Sequence, residues 1–170
     1  MNILLINHYA ESPINGKTLR HYYLAKEWVR KWNNVTIIAA SFSHLRYKQP
    51  EIKKDFEEEV IEGIKYIWIK TPKYKGNGIR RILNMFVFTI RLLLNFKKLN
   101  KKFKPNVIIA SSPHPFVIYP SYLFSRISKS KLIFEVRDLW PLSLIELGNI
   151  PKYHPFIILM QIAEDFAYRK

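Results

Sequence analysis

Three short segments concentrate the side chains that could do chemistry. The run Glu135-Val136-Arg137-Asp138-Leu139-Trp140-Pro141 sets charges of both signs beside a tryptophan. Arg137 could clamp a phosphate or carboxylate through paired N–H donors, and Asp138 could accept a hydrogen bond or proton from a sugar hydroxyl. These two are the candidate catalytic residues. Ser111-Ser112-Pro113-His114-Pro115 offers two hydroxyls and an imidazole on a backbone that its prolines restrict. Asn15-Gly16-Lys17 brings a glycine to the start of a helical pattern, where free N–H groups and the helix dipole favour an anion. Asn15, Gly16, Lys17, Ser111, Ser112 and His114 are thus the candidate substrate-binding residues. Each segment also has an ordinary reading. Arg137 could pair internally with Asp138 or Glu135, the serines could cap a helix with His114 in solvent, and one glycine falls short of a GxGxxG fingerprint or P-loop.

Other chemistries find no support. There is no GxSxG elbow, and Glu57, Glu58 and Glu59 form a run typical of a solvated surface. The absence of cysteine excludes disulfides, thiolate zinc sites and cysteine nucleophiles. No metal ligand set is expected, and no cofactor.

The elements that must position these loops follow from hydrophobic periodicity. Asn2–Asn7 and Val35–Ala40 read as strands buried on both faces, with a helix over Lys17–Trp32 between them. On that helix Thr18, Tyr22, Ala25, Val29 and Trp32 share one face. Glu58–Ile61 and Ile64–Lys70 flank Glu62-Gly63 as a hairpin, and Ser41–Lys54 is a loop. A long helix over Ile79–Phe103, stopped by Pro105, leads to a strand at Asn106–Ala110. A helix near Val117–Ile127, a strand at Lys131–Val136 and helices at Leu142–Leu147 and Pro155–Arg169 complete the order. That order predicts a doubly wound α/β fold with a mainly parallel sheet, a β-hairpin and a long amphipathic helix. All three loops then lie at the carboxyl edge of the sheet, where such folds bind ligands.

With 170 residues, 48% of them apolar, the chain can bury a substantial core. Its 28 Lys and Arg against 13 Asp and Glu leave a net charge of +15, which implies an anionic partner. The long helix points to which one. Between Ile82 and Phe96 the polar residues Asn84, Arg91 and Asn95 form one narrow stripe, continued by Lys98 and Lys102, and the rest of the circumference is apolar. Such a helix, flanked by basic residues, suits an anionic membrane surface. The expected contacts are Arg80, Arg81, Phe86, Phe88, Lys97, Lys98, Lys101 and Lys102. The alternative is burial between the sheet and the hairpin. Nucleic acid fits the charge, but no recognition helix, RNP-like strand or zinc spacing accompanies it. No stretch reaches the ~20 apolar residues that span a bilayer. The expectation is a cytoplasmic protein, peripheral at the inner face of the plasma membrane.

Two blocks carry a family resemblance. NILLINHY, the loop to Gly16, LRHYYLAKEWVRKW and VTIIAASFSHLR, with VIIASSPHPFVIYPSYLFSR and LIFEVRDLWP, resemble the N-terminal Rossmann half of GT-B glycosyltransferases. The likeness is to family 4 enzymes of O-antigen and capsule synthesis, including N-acetylfucosamine transferase-like members. It implies that residues 1–170 form an acceptor-binding domain, incomplete at an amphipathic final helix and lacking the family's C-terminal nucleotide-sugar domain. The implied reaction is retaining transfer from a nucleotide-sugar donor to a polyprenyl-diphosphate-linked glycan acceptor, without a metal, and not by these residues alone. By position, Asn15-Gly16 corresponds to the family's glycine-rich turn. Arg137 stands where many members carry a histidine, so an anion clamp replaces a base there. Two other classes remain: a membrane-anchored acceptor subunit of a two-chain transferase, and a basic α/β domain acting on nucleic acid.

Overall fold

In the computed structural model, which describes residues 1–170, the chain runs β1 (Asn2–Ile6), α1 (Arg20–Arg30), β2 (Asn34–Ala40), β3 (Phe56–Ile61), β4 (Ile64–Ile69) and α2 (Ile79–Phe103). It continues through β5 (Val107–Ser111), α3 (Ile118–Ser128), β6 (Lys131–Glu135), α4 (Leu142–Glu146) and α5 (Pro155–Arg169), with a 3-10 turn at Pro115–Val117 before α3. The six strands form one sheet in the order β3-β4-β2-β1-β5-β6, parallel except for β3. The expected doubly wound fold, hairpin and long helix are all present. After β1 the chain builds outward through β2 and β4, then returns over the sheet through α2 to place β5 on the other side of β1. The crevice between the ends of β1 and β5 is therefore the switch in strand order, where this architecture receives ligands.

Burial on both faces explains why the central strands show no alternation in sequence. Leu4 and Ile6 face one layer with Ile38, Ile67 and Ile108, under Phe88 and Leu92 of α2 and Phe124 of α3. Ile3 and Leu5 face the other with Ile37 and Tyr66, under Tyr22 and Ala25 of α1. A third cluster, Phe116 with Ile157, Met160 and Ala163, seats α5 against the turn before α3. The β3–β4 turn has positive φ at both Glu62 (49°) and Gly63 (79°), the tight primed geometry that hairpins favour.

Two expectations about helix faces are corrected. α1 starts at Arg20 rather than Lys17, and Trp32 lies outside it, 94% exposed. Asn33 closes the helix, because its backbone and side-chain N–H groups both donate to the Trp28 carbonyl (3.1 and 3.0 Å). The polar stripe of α2 turns away from solvent over its first part, Asn84 to Asn95, while Lys98 and Lys102 at its end are exposed. Asn84 is buried, Arg91 pairs with Asp55 (2.9 Å), and Lys102 pairs with Glu58, so Asn84 faces the core and these two cations face the hairpin edge. Phe88 is fully buried and Phe86 packs on Phe116 with ring centroids 4.9 Å apart, so neither is a free membrane contact. Arg80, Lys97, Lys98 and Lys101 are exposed as expected. No helix is long and apolar enough to cross a membrane.

Candidate functional site

The ends of β1 and β5 are knitted together by side chains. Asn7 donates from Nδ2 to the carbonyl and the hydroxyl of Ser111 (3.0 and 3.1 Å), and its Oδ1 accepts from the Tyr9 amide (2.9 Å). His21, brought in by the first turn of α1, sets Nε2 2.9 Å from Ser111 Oγ. Just past β5, Ser112 Oγ accepts from the Arg137 amide that follows β6 (3.0 Å), while Glu135 of β6 forms an ion pair with Arg20. These bonds hold a strand-edge platform from which longer side chains rise.

One chain of hydrogen bonds joins that platform to α2. Asn84 Nδ2 donates to the Pro72 carbonyl (2.7 Å), which leaves Oδ1 to accept from His8 Nε2 (2.5 Å). His8 Nδ1 is then the bare nitrogen and accepts from His114 Nε2 (2.9 Å). A carbonyl that can only accept thus decides both tautomers. His114 Nδ1 ends the chain as a buried acceptor without a donor. Burial holds both imidazoles neutral: the His114 ring is pushed down to about 3, aided by the field of Arg81, and His8 also lies well below its ordinary value.

The first loop departs from expectation. The Glu11 carboxylate, itself buried, accepts from the Thr18 amide (2.6 Å), so a side chain of the protein already occupies the anion seat before α1. Gly16 is buried against Glu11, where a Cβ would overlap the carboxylate. Asn15 is buried too, and its Oδ1 accepts from the Ser12 amide (2.9 Å). Asn15 and Gly16 are therefore loop-building residues, and of the three expected in this turn only Lys17 is exposed. Ser111, Ser112 and His114 are buried as well and brace the platform from behind.

Above the platform lies a cleft of about 150 Å³, lined among others by Tyr9, Thr18, His21, Arg81, Arg137 and Asp138. Arg137 and Asp138 reach it as expected and form no ion pair with each other or with Glu135. Arg81, which the sequence placed at the membrane, turns inward. Its Nε donates to the Tyr9 hydroxyl (3.1 Å) and its Nη1 to Asn77 Oδ1 (2.6 Å), with the guanidinium 5.7 Å from the centre of the Trp140 ring. Neither Arg81 nor Arg137 has a carboxylate partner. Arg81 and Trp140 also form the wall shared with an apolar groove of about 520 Å³, between the start of α2 and the α4–α5 region. Tyr9, His21, His44 and Arg81 are the lining residues that sequence reasoning missed. They sit singly within helices and loops, and only the strand crossover brings them together.

The two guanidinium groups give the cleft its electrostatics. His21 is lowered to about 4, first by burial and then by Arg137, against the opposing pull of Glu135. His44 is lowered by burial and by Arg81. Against the upward push of burial, the Ser111 hydroxyl and Arg20 keep the Glu135 carboxyl below its ordinary range. The imidazoles therefore stay neutral around two fixed cations. A nucleophilic triad does not assemble, since Glu135 and Ser111 approach the same ring nitrogen of His21 (3.7 and 2.9 Å) and no acid orients the other. No three His, Asp or Glu side chains converge as metal ligands. The arrangement can hold an anion.

No protein-family profile and no curated protein matches this chain. Among solved structures it resembles the C-terminal domain of a hydrogenase from Pyrococcus furiosus. One crystal structure of that domain superposes with a TM-score of 0.53 at 16% identity, covering 78% of this chain and 89% of the other. A second gives 0.51 at 18%, covering 79% and 89%. At this identity the likeness establishes the α/β fold alone. It overturns the expectation from motif resemblance: neither sequence comparison returns a glycosyltransferase, and the structural likeness is to a hydrogenase domain. The SSP and EVRDLWP blocks lie at the ends of β5 and β6. The hydrogenase name describes that protein, and at 16% and 18% identity it assigns no activity to this chain.

Proposed function

We propose that this domain binds a small anionic ligand, bearing a phosphate or carboxylate group, in the cleft over the ends of β1 and β5. The observation that carries the reading is the pair Arg81 and Arg137, two cations from distant segments that line one cleft without a carboxylate partner. Neither guanidinium is ion-paired, and Asp138 is the one carboxylate among the cleft's lining, so the cleft keeps a surplus positive charge that a bound anion would neutralise. The Tyr9 hydroxyl and the Thr18 hydroxyl supply neutral hydrogen-bonding groups beside them. Asp138 in the lining disfavours a second negative charge beside it, so the site suits one compact anionic group with a hydroxyl or amine turned toward Asp138. Calorimetric titration with phosphate, pyrophosphate and citrate tests this. Saturable binding that either arginine-to-alanine variant weakens supports it, and heats indistinguishable from dilution reject it.

A second reading is favoured by the basic, outward half of α2. It holds that the domain works in the cytoplasm as a peripheral protein at the inner, anionic face of the plasma membrane. The charge of +15 and the exposed Arg80, Lys97, Lys98 and Lys101 support it. Cosedimentation with anionic vesicles at low salt, lost at high salt, is the expected behaviour.

A further inference from the structure

The outward line of α2 has a composition that the fold leaves unused. Ile79, Leu83, Ile90 and Leu94 are 75%, 52%, 49% and 77% exposed, and they follow one another at helical spacing along the side opposite the buried Met85, Phe88 and Leu92. At 1.5 Å per residue this apolar line runs for about 22 Å. Lys97 and Lys101 continue the same line beyond Leu94, with Arg80 and Lys98 beside it. The helix contains no acidic residue among its 25. The carboxylates that neutralise α2 all act on its other side, where Asp55 takes Arg91 and Glu58 takes Lys102. The outward line is therefore apolar over four turns and uncompensated in charge at its end.

We propose that this line of α2 is a docking surface for an anionic lipid bilayer, with Ile79, Leu83, Ile90 and Leu94 entering the headgroup–acyl boundary and Lys97, Lys98 and Lys101 meeting lipid phosphates. The inference rests on the peripheral-membrane reading and assigns it to one surface. Charge decides the occupant. A second copy of a chain at +15 would bring its own lysines against these, whereas a leaflet rich in anionic lipid complements both halves of the line. α5 also exposes Ile158, Leu159 and Ile162, but Glu164 and Asp165 lie on the same helix, so it lacks this complementarity. The docking leaves the cleft free, because Arg81 lies on the inward side of the same helix.

The test is cosedimentation with phosphatidylserine-containing and pure phosphatidylcholine vesicles, using the wild-type chain, Leu83→Asp/Leu94→Asp, and Lys97→Glu/Lys98→Glu/Lys101→Glu. All five positions are exposed, so the folds should survive, and Leu94→Asp alone is the reserve should the double variant unfold. Wild type should bind only the anionic vesicles. The lysine variant should lose about a hundredfold in partitioning, and the leucine variant about tenfold or more. If wild type binds anionic vesicles and both variants bind equally well, the assignment to α2 is overturned while the membrane reading stands. If wild type binds no vesicle at low salt, the membrane reading itself fails. Equal binding to neutral vesicles overturns the charge argument. A concentration-dependent dimer that Leu83→Asp/Leu94→Asp abolishes shows a second copy on this face and overturns the proposal.

Discussion

His8 Nε2 donates to Asn84 Oδ1 across 2.5 Å, tying the end of the central strand to the second turn of α2. This bond sets the roll of the helix. Three residues before Asn84, Arg81 falls on the same inward side and enters the cleft, and the opposite line of Ile79, Leu83, Ile90 and Leu94 is left facing out. The cleft and the proposed docking surface are thus two sides of one helix.

Asn84→Leu should therefore cost more than an ordinary surface change. The substitution keeps the volume but leaves the His8 N–H and the Pro72 carbonyl without partners in a buried setting. Unpaired groups of this kind cost about 1–3 kcal/mol each. Chemical denaturation should show a loss of about 2–5 kcal/mol, and a loss below that of a typical exposed-site change would show that the chain of bonds is replaced by water.

The cleft is probed by three single substitutions. Removing one charge-assisted partner should weaken phosphate or pyrophosphate binding by about tenfold to a hundredfold in Arg81→Ala and in Arg137→Ala. Asp138→Asn should act in the opposite direction and tighten binding severalfold, since it removes a like charge from the rim. Titration calorimetry reads all three. Unchanged affinity in both arginine variants would move the anion elsewhere.

The buried imidazoles make stability fall in acid. His21 titrates at about 4 and His114 at about 3 in the folded chain, below the 6.5 of the unfolded one, so the unfolded state binds the extra protons. Stability is complete above about pH 6.5 and declines as pH falls toward the folded values, by about 2 kcal/mol per histidine at pH 5. Melting followed from pH 7 to pH 5 should show the decline. A bound anion beside Arg137 should raise His21, and imidazole resonances titrated with and without phosphate should show the shift.

Gly16 needs its missing side chain for a packing reason. A Cβ there would overlap the Glu11 carboxylate, which holds the Thr18 amide. Gly16→Ala should lose about 1–3 kcal/mol, while Gly78→Ala, with open space around its Cβ, should be close to neutral. Equal melts for the two variants would show that the first loop moves freely aside.

The succession of elements along the chain, the hairpin and the bounds of α2 and α5 were legible in the chain itself, because periodicity, the Glu62-Gly63 turn and Pro105 are local signals that do not depend on distant partners. The carboxyl-edge position of Arg137 and Asp138 followed for the same reason, since a strand end is read from where a strand stops. The family reading rested on short blocks at such strand ends. Those blocks fall at the ends of β5 and β6, so they located strand ends and did not fix an activity. Tertiary structure alone decided the rest. Helical spacing shows that Asn84, Arg91 and Lys102 share a stripe on α2, but not which way the stripe faces. His8, Asp55 and Glu58, which lie far away in sequence, turned it inward. Similarly, nothing near Gly16 in sequence shows that Glu11 folds back to fill the anion seat. Whether a polar residue meets solvent or a buried partner is a property of pairs, and those pairs exist only once the crossover has brought β1, α2 and β5 together.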